Sequence, residues 1–304
     1  LIAPELQQAI LDWYATSGRD LPWRHTRDPY AILVSEIMLQ QTQVDRVLPK
    51  YAAFLGQFPD FAALAAAPTG EVIRAWQGLG YNLRAVRLQR IAREVVREHQ
   101  GRLPDTVEGL LALDGIGRYT ASAVACFAFG RSEPVLDTNV RRVLGRMALG
   151  PDGPKSASAG TLWKVAEEAL PRQHAYNWNQ ALMDLGSQIC LERNPMCLLC
   201  PAQPWCKSAG QVAPVLRERS APYTTRRETP FTGSTRYYRG RIVECLRALP
   251  AGATLPLADL GPAIRADYGE EHLPWLRDLI ARLERDGLLV SKPDATLALP
   301  DHRE

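Results

Sequence analysis

With 304 residues, 46% of them hydrophobic and 23% charged, the chain has the length for two or three packed units and the composition of a globular protein rather than a disordered one. The longest uncharged apolar runs fall far short of a bilayer span, and the opening LIAPELQQAILDWY carries acids in an amphipathic pattern, not a basic leader; no membrane partner and a cytoplasmic, nucleoid-associated setting are expected. A net charge of +3 does not by itself call for a polyanionic partner.

The first 210 residues read as almost entirely helical. PELQQAILDWYATSG, then DPYAILVSEIMLQQTQVDRVLPKYAAFLGQF as one long segment, then NLRAVRLQRIAREVVREHQG all place apolar residues three and four apart, separated by Pro, Gly and Asp. Residues 211–233 lose that period and gain Pro, Thr and Arg, which predicts a basic linker. Beyond it STRYYRGRIVECLRAL, LADLGPAIRADY and EHLPWLRDLIARLERDG read as three helices. LLVSKPDATLALP follows as two short strands around a turn, so residues 234–304 are expected to form a winged-helix-like domain.

Charge is clustered along this chain. Seven arginines stand against two acids between Arg217 and Arg241; Arg141, Arg142 and Arg146 form a second group, and Arg84, Arg87, Arg90, Arg93 and Arg97 a third. One such cluster is commonly a solvated helix face, whereas three together point to nucleic acid.

LDGIGRYTASAVACFAFG raises the question of which phosphate its two glycines serve. A dinucleotide fingerprint needs a preceding strand and a third glycine, but TVEGLLAL (Thr106 to Leu113) is helical in pattern and Thr120 stands at the third position. Between two helices, Gly115 and Gly117 instead make a hairpin whose backbone N–H groups can face a phosphodiester and anchor a duplex without reading sequence. Four cysteines lie within seventeen residues as Cys190-x6-Cys197-x2-Cys200-x5-Cys206. Cytosolic thiols stay reduced, which disfavours disulfides, and one short pair with two longer flanks and no histidine suits an iron–sulfur cluster better than structural zinc. Cys126 and Cys245 sit on apolar helical faces and read as buried small hydrophobes.

The cysteine spacing resembles that of the endonuclease III-like, helix-hairpin-helix DNA glycosylases. SEIMLQQTQV, GLGY, GIGRYTASAV, VLDTNVRRVLGR and NQALMDLGSQIC, in that order, look most like the MutY-type adenine DNA glycosylases within that superfamily. The resemblance spans about residues 1–210 and implies a mainly α, two-lobed fold with an iron–sulfur loop. The six-helix lobe would cover about 24–129 and the iron–sulfur lobe about 1–23 and 130–210. It also implies a 4Fe-4S cluster on the four cysteines, a monovalent cation held by hairpin carbonyls, and a mismatched or damaged DNA duplex as partner of a monomer.

The residue roles follow from the same resemblance. Breaking the bond from adenine to deoxyribose needs a protonated carboxyl for the base and an ionised one for the cationic sugar. Glu36 is the candidate acid, its pKa expected to rise through partial burial, and Asp137, also readable as a helix N-cap, is the candidate ionised carboxylate. Tyr119 stands where strand-cleaving relatives carry a lysine; a phenol forms no imine, so release of the base without strand cleavage is expected. Trp23, Arg24, Leu39 and Gln180 map to the adenine pocket. Gln41 and Tyr81 map to the wedge beside the orphaned base, and Gly115, Gly117, Arg118, Asn139, Arg141 and Arg142 to DNA contacts. Typical members continue into a domain resembling nucleotide pyrophosphohydrolases that helps recognise 8-oxoguanine, in place of which this chain has its basic linker and three-helix segment. Adenine opposite 8-oxoguanine or guanine is the expected substrate. Thymine or uracil opposite guanine is the alternative, since a tyrosine at this position also occurs in relatives that remove those bases. A third reading, an iron–sulfur DNA-binding regulator, is disfavoured by the intact Glu36, Asp137 and Tyr119.

Overall fold

Several helices begin at a capping side chain, in a computed structural model that describes residues 2–211 and 231–300. After α1 (Pro4–Ser17) come α2 (Pro29–Leu39), α3 (Val44–Gln57), α4 (Phe61–Ala66), α5 (Thr69–Ala75) and α6 (Leu83–His99). The chain continues with α7 (Val107–Leu111), α8 (Arg118–Phe127), α9 (Thr138–Leu149), α10 (Gly153–Ser156), α11 (Ala159–Ala169) and α12 (Ala175–Gln188). Asp60, Thr106, Asp137 and Ser158 each accept a backbone N–H of the helix they precede, the usual answer to the unpaired donors of a first turn. Past residue 230 come α13 (Thr235–Ala248), β1 (Leu255–Pro256), α14 (Leu257–Ile264), α15 (Leu273–Arg285), β2 (Val290–Ser291) and β3 (Thr296–Ala298). None of the described helices is long and apolar enough to cross a membrane.

The described residues divide into two compact units. The first comprises 2–33, 104–112 and 116–211, the second 34–103, 113–115 and 231–300. In the first, α12 packs against α1, α8 and α9. Gly186 lets α12 approach the start of α9, because a Cβ there would stand 2.7 Å from the Cβ of Asn139.

In the second unit α6 packs on α4 and α5, and the three C-terminal helices do not stand apart from them. Ile242, Val243, Leu246, Leu276, Leu279 and Leu283 share one buried cluster with Ile73 of α5 and Val86 of α6. Polar bonds reinforce that apolar seam: Arg247 Nε donates to the Ile73 carbonyl at 3.1 Å, Arg74 Nη1 to the Leu249 carbonyl at 2.7 Å, and the Gly70 N–H to the Pro300 carbonyl at 2.6 Å. The expected pair of strands is present as β2 and β3, and β1 adds a third on the other edge of β3, all antiparallel. Two residues are too few to show an alternating pattern, which is why β1 escapes a reading of the sequence.

One expectation about the helices changes, and another lies mostly outside the described residues. The run from Asp28 to Phe58 is two helices, broken after Leu39, with Gln41 in the left-handed region (φ 56°). The linker expected at 211–233, with Arg217, Arg219, Arg226 and Arg227, falls mostly on residues 212–230, outside the described residues.

Candidate active site

Asp137 ends the extended stretch before α9 and caps it, Oδ1 accepting the Val140 N–H at 2.6 Å. Its other oxygen accepts Asn139 Nδ2 at 3.2 Å. The Asn139 carbonyl oxygen in turn accepts Arg142 Nη2 at 2.9 Å, so the asparagine is oriented and must present its amide N–H to Asp137. Burial pushes the Asp137 carboxyl above the usual carboxylate range, and the bonds from Val140 and Asn139 pull it part of the way back. The result is a half-buried carboxylate held by two donors.

The stretch leading to Asp137 is positioned by Asn179 of α12, which is 2% exposed. Its side-chain oxygen accepts the Val135 N–H at 3.0 Å and its Nδ2 donates to the Glu133 carbonyl at 2.9 Å. Nothing local marks Asn179 in the sequence beyond its standing in an apolar stretch beside Gln180, which is also buried.

The hairpin between α7 and α8 takes the expected form. Gly115 has φ +94°, a backbone that side-chain-bearing residues avoid, while Gly117 is the extended N-cap of α8 with open space where a Cβ would stand. Tyr119 lies half-buried in the first turn of α8.

The predicted DNA-facing arginines all have protein partners. Arg142 donates to the carbonyls of Cys190 at 2.8 Å and Gly186 at 2.6 Å, and Arg141 to those of Pro154 and Ala157, both at 3.4 Å. Arg118 lies 4.0 Å from the centre of the Trp163 ring and pairs with Glu167 at 3.4 Å. Arg146, the third member of that cluster, donates to the Leu191 carbonyl at 2.6 Å and lies 3.5 Å from Cys190 Sγ. The cluster read as a phosphate-facing group is in large part the scaffold that joins α9 to the cysteine loop.

Among the predicted pocket residues of the first unit, Trp23 and Gln180 are buried, and Arg24 has a partner of its own. Both terminal nitrogens of Arg24 donate to the Asp184 carboxylate at 2.8 Å, leaving its buried Nε without a hydrogen-bond partner. Arg19 adds its backbone N–H at 2.8 Å and its Nε at 2.7 Å to the same carboxylate, which is 0% exposed. Arg24 is therefore committed to a buried ion pair rather than to a base edge, and Asp184 is a residue that sequence reasoning missed.

All four cysteines line one cavity, with about 430 Å³ of empty space including its open mouth, walled by Val143, Met147, Leu185 and Ile189. Burial pushes the Cys200 thiol up to about 11 and raises those of Cys197 and Cys206, with the neighbouring sulfurs adding to the rise; ionised ligands here call for a cationic guest. Among the described residues no group of three or more His, Cys, Asp or Glu side chains is arranged to hold a metal ion. Four thiols around one apolar-walled cavity, with the Arg146 guanidinium beside Cys190, are a donor set whose chemistry suits an iron–sulfur cluster.

In the second unit, Glu36 is 5% exposed, and residues 30–38 of α2 are buried throughout, so its burial is nearly complete. Leu39, at the end of α2, is half-buried. Gln41 and Tyr81 are exposed and both have positive φ, 56° and 46°, an uncommon backbone for residues other than glycine and one that concentrates at functional sites. One buried guanidinium explains how both turns are held. Arg84 Nη1 donates to the carbonyls of Ile37 at 2.9 Å and Met38 at 2.8 Å at the end of α2. Its Nη2 donates to Thr42 Oγ1 at 2.9 Å and to the Leu79 and Gly80 carbonyls at 3.1 Å. Burial holds the guanidinium down to about 10, still a cation at neutral pH. Arg84 was one of five arginines that looked like a solvated or DNA-facing face; it is 6% exposed and acts as a distant cap for α2.

Comparisons with known proteins place the chain among relatives. Residues 34–168 match the HhH-GPD superfamily of base excision DNA repair proteins. The chain is 40% identical to the adenine DNA glycosylase of Mycobacterium tuberculosis, over 96% of this chain and 92% of the relative. Among solved structures, a thermostable thymine-DNA glycosylase superposes with a TM-score of 0.64 at 34% identity, covering 67% of this chain and 95% of that one. A trapped covalent endonuclease III–DNA intermediate does so with a TM-score of 0.60 at 20% identity, covering 68% and 94%, which speaks to fold alone. A helical fold with a glycine hairpin, a half-buried Asp137 that caps its helix and near end-to-end likeness to such a relative leave one assignment: this chain belongs to the adenine DNA glycosylases of the helix-hairpin-helix superfamily.

Proposed function

We propose that this base excision repair glycosylase hydrolyses the bond between adenine and deoxyribose where adenine stands opposite 8-oxoguanine or guanine, and that it leaves the strand uncut. The observation that carries the reading is Asp137: a half-buried carboxylate, held by two N–H donors, is suited to stabilise a positively charged sugar. Glu36, buried in an apolar helix, donates the proton that lets the purine leave. Tyr119 supplies a hydroxyl and no amine, so no imine with the opened sugar forms. Gly115 and Gly117 receive a phosphate, completed by a monovalent cation on hairpin carbonyls. Gln41 and Tyr81 occupy the stack beside the orphaned base, and Trp23, Leu39 and Gln180 receive the flipped adenine. The enzyme acts as a monomer on the DNA of the nucleoid.

Cys190, Cys197, Cys200 and Cys206 would hold a 4Fe-4S cluster, which when bound cross-links their loop. Through the Arg142 and Arg146 bonds that loop is tied to the helix Asp137 caps. Purified protein is expected to contain about four irons and to absorb visible light; a colourless zinc protein would refute the assignment.

The thymine-DNA glycosylase at 34% identity supports removal of thymine or uracil opposite guanine as a second reading. A panel of duplexes with A opposite 8-oxoguanine, A opposite G, T opposite G and U opposite G decides between them. Strand breaks are expected only in the adenine duplexes and only after hot alkali, with no borohydride-trapped protein–DNA adduct. Breaks before alkali would sink the uncut-strand claim, and thymine or uracil release alone would favour the second reading.

A further inference from the structure

Helix α13 carries four arginines, and three of them have plain structural tasks. Arg239 pairs with Asp286 and Arg247 with Glu244, while Arg241 donates to the Tyr237 hydroxyl at 3.1 Å and the Ala263 carbonyl at 2.8 Å. Arg236 is different. It is exposed and has no carboxylate partner among the described residues. Its Nη1 lies 3.3 Å from the Tyr81 hydroxyl, and its guanidinium 6.0 Å from the centre of the Tyr81 ring and 5.4 Å from that of Phe231.

Tyr81 and Phe231 are 45% and 57% exposed, among the most exposed large apolar side chains of the second unit. Further cations flank the same turn. Arg46 donates to the Gly78 carbonyl, and the Cε of Lys50 is 3.4 Å from where a Gly78 Cβ would stand. Exposed aromatic faces cost free energy unless something covers them, and cations without carboxylates are left to attract an anion. Aromatics interleaved with cations fit one class of partner especially well: a strand that offers phosphates and stackable bases together.

We propose that Tyr81, Phe231 and Arg236 form one duplex-DNA contact in which the C-terminal region takes part, Arg236 neutralising a phosphate next to the nucleotide against which Tyr81 stacks. This rests on the reading that the chain acts on duplex DNA. The 234–300 segment is thereby part of the substrate-binding surface, brought to Tyr81 by the apolar seam that joins α13 to α5 and α6.

The test uses the full chain and a duplex carrying a tetrahydrofuran abasic analogue opposite guanine, with binding read by fluorescence anisotropy from about 50 to about 200 mM salt. Arg236→Ala is expected to weaken binding about tenfold at the lower salt and to reduce the slope of log affinity against log salt by about one. Arg236→Lys keeps the charge and is expected to keep the slope. Phe231→Ala is expected to weaken binding by stacking alone, with the slope unchanged. An Arg236→Ala protein with the parent's affinity and slope overturns the proposal. So does one that binds more weakly with the parent's slope, since Arg236 would then only brace the Tyr81 ring. A parent chain that releases adenine while Arg236→Ala matches its affinity and salt slope refutes this inference alone; a parent that releases no base refutes the function beneath it.

Discussion

Asp137→Asn is expected to lower the single-turnover rate of adenine release by about a thousandfold, the scale on which a preorganised electrostatic stabiliser acts, while changing folding stability by less than about 1 kcal/mol. Two opposed terms produce that small stability change. Burial raises the Asp137 carboxyl above its unfolded value, so the folded state holds the proton more tightly than the unfolded chain. The ionised group therefore subtracts from stability as pH rises through the folded value, and a neutral asparagine removes that cost. Against this, the asparagine oxygen would stay on the Val140 N–H and turn its NH2 toward Asn139 Nδ2, which Arg142 prevents from flipping. Asn139 and Arg142 thus specify an acceptor at both positions of residue 137, which a carboxylate supplies and an amide does not.

Activity has its own pH signature. Because the carboxylate must be ionised, the release rate of the parent is expected to fall on acidification at a pH above the usual aspartate range, and that limb should vanish in Asp137→Asn. Glu36→Gln is the companion measurement, expected to bind the mismatched duplex while losing about 10² to 10⁴ in rate. Single-turnover kinetics and urea unfolding check both halves; full activity in either variant would remove that residue from the mechanism.

Asp184→Ala is expected to cost about 3–5 kcal/mol, since it strands the Arg24 guanidinium in a buried site without its carboxylate. The Asp184 side chain is 0% exposed and that of Arg24 only 7%. The pH dependence can be worked out from the direction of the shift. Burial alone pushes the Asp184 carboxyl up, but hydrogen bonds from Arg24 and the Arg19 N–H, reinforced by both charges, outweigh it and hold the group below the usual range. Its contribution is then complete above the unfolded value of about 3.9 and is lost as pH falls through the lower folded value. Urea unfolding of the parent is expected to show that acid-side loss, and the same window should be flat in Asp184→Ala. A variant within about 1 kcal/mol of the parent at neutral pH would mean that the pair is relaxed by water.

Much of the fold was open to inspection along the chain. Asp137 reads as a cap because a carboxylate before an amphipathic run has few better uses, and it caps α9. The hairpin reads from its glycines, and the four cysteines that are close in sequence line one cavity. These features depend on neighbours within a few residues, where spacing and side-chain chemistry are enough.

The fates of the arginines were not open in this way. Arg84 and Arg142 carry the same charge as residues that do face solvent, and no local pattern marks them as structural props. Arg84 binds carbonyls 44 to 47 residues away, and Arg24 a carboxylate 160 residues away. The break after Leu39 is hidden in the same way: QQTQ contains neither glycine nor proline, and the carbonyls left free at the helix end are taken by a distant guanidinium.

By itself, then, the sequence determined most of the helices, the caps of several of them, the glycine turn and the grouping of four thiols, because short-range sterics and hydrogen bonding decide them. Only the tertiary structure decided which cations are props and which remain for a partner, and that residues 234–300 join the unit that carries Tyr81. A guanidinium goes wherever folding leaves unpaired oxygens, and those oxygens come together only once the chain has packed.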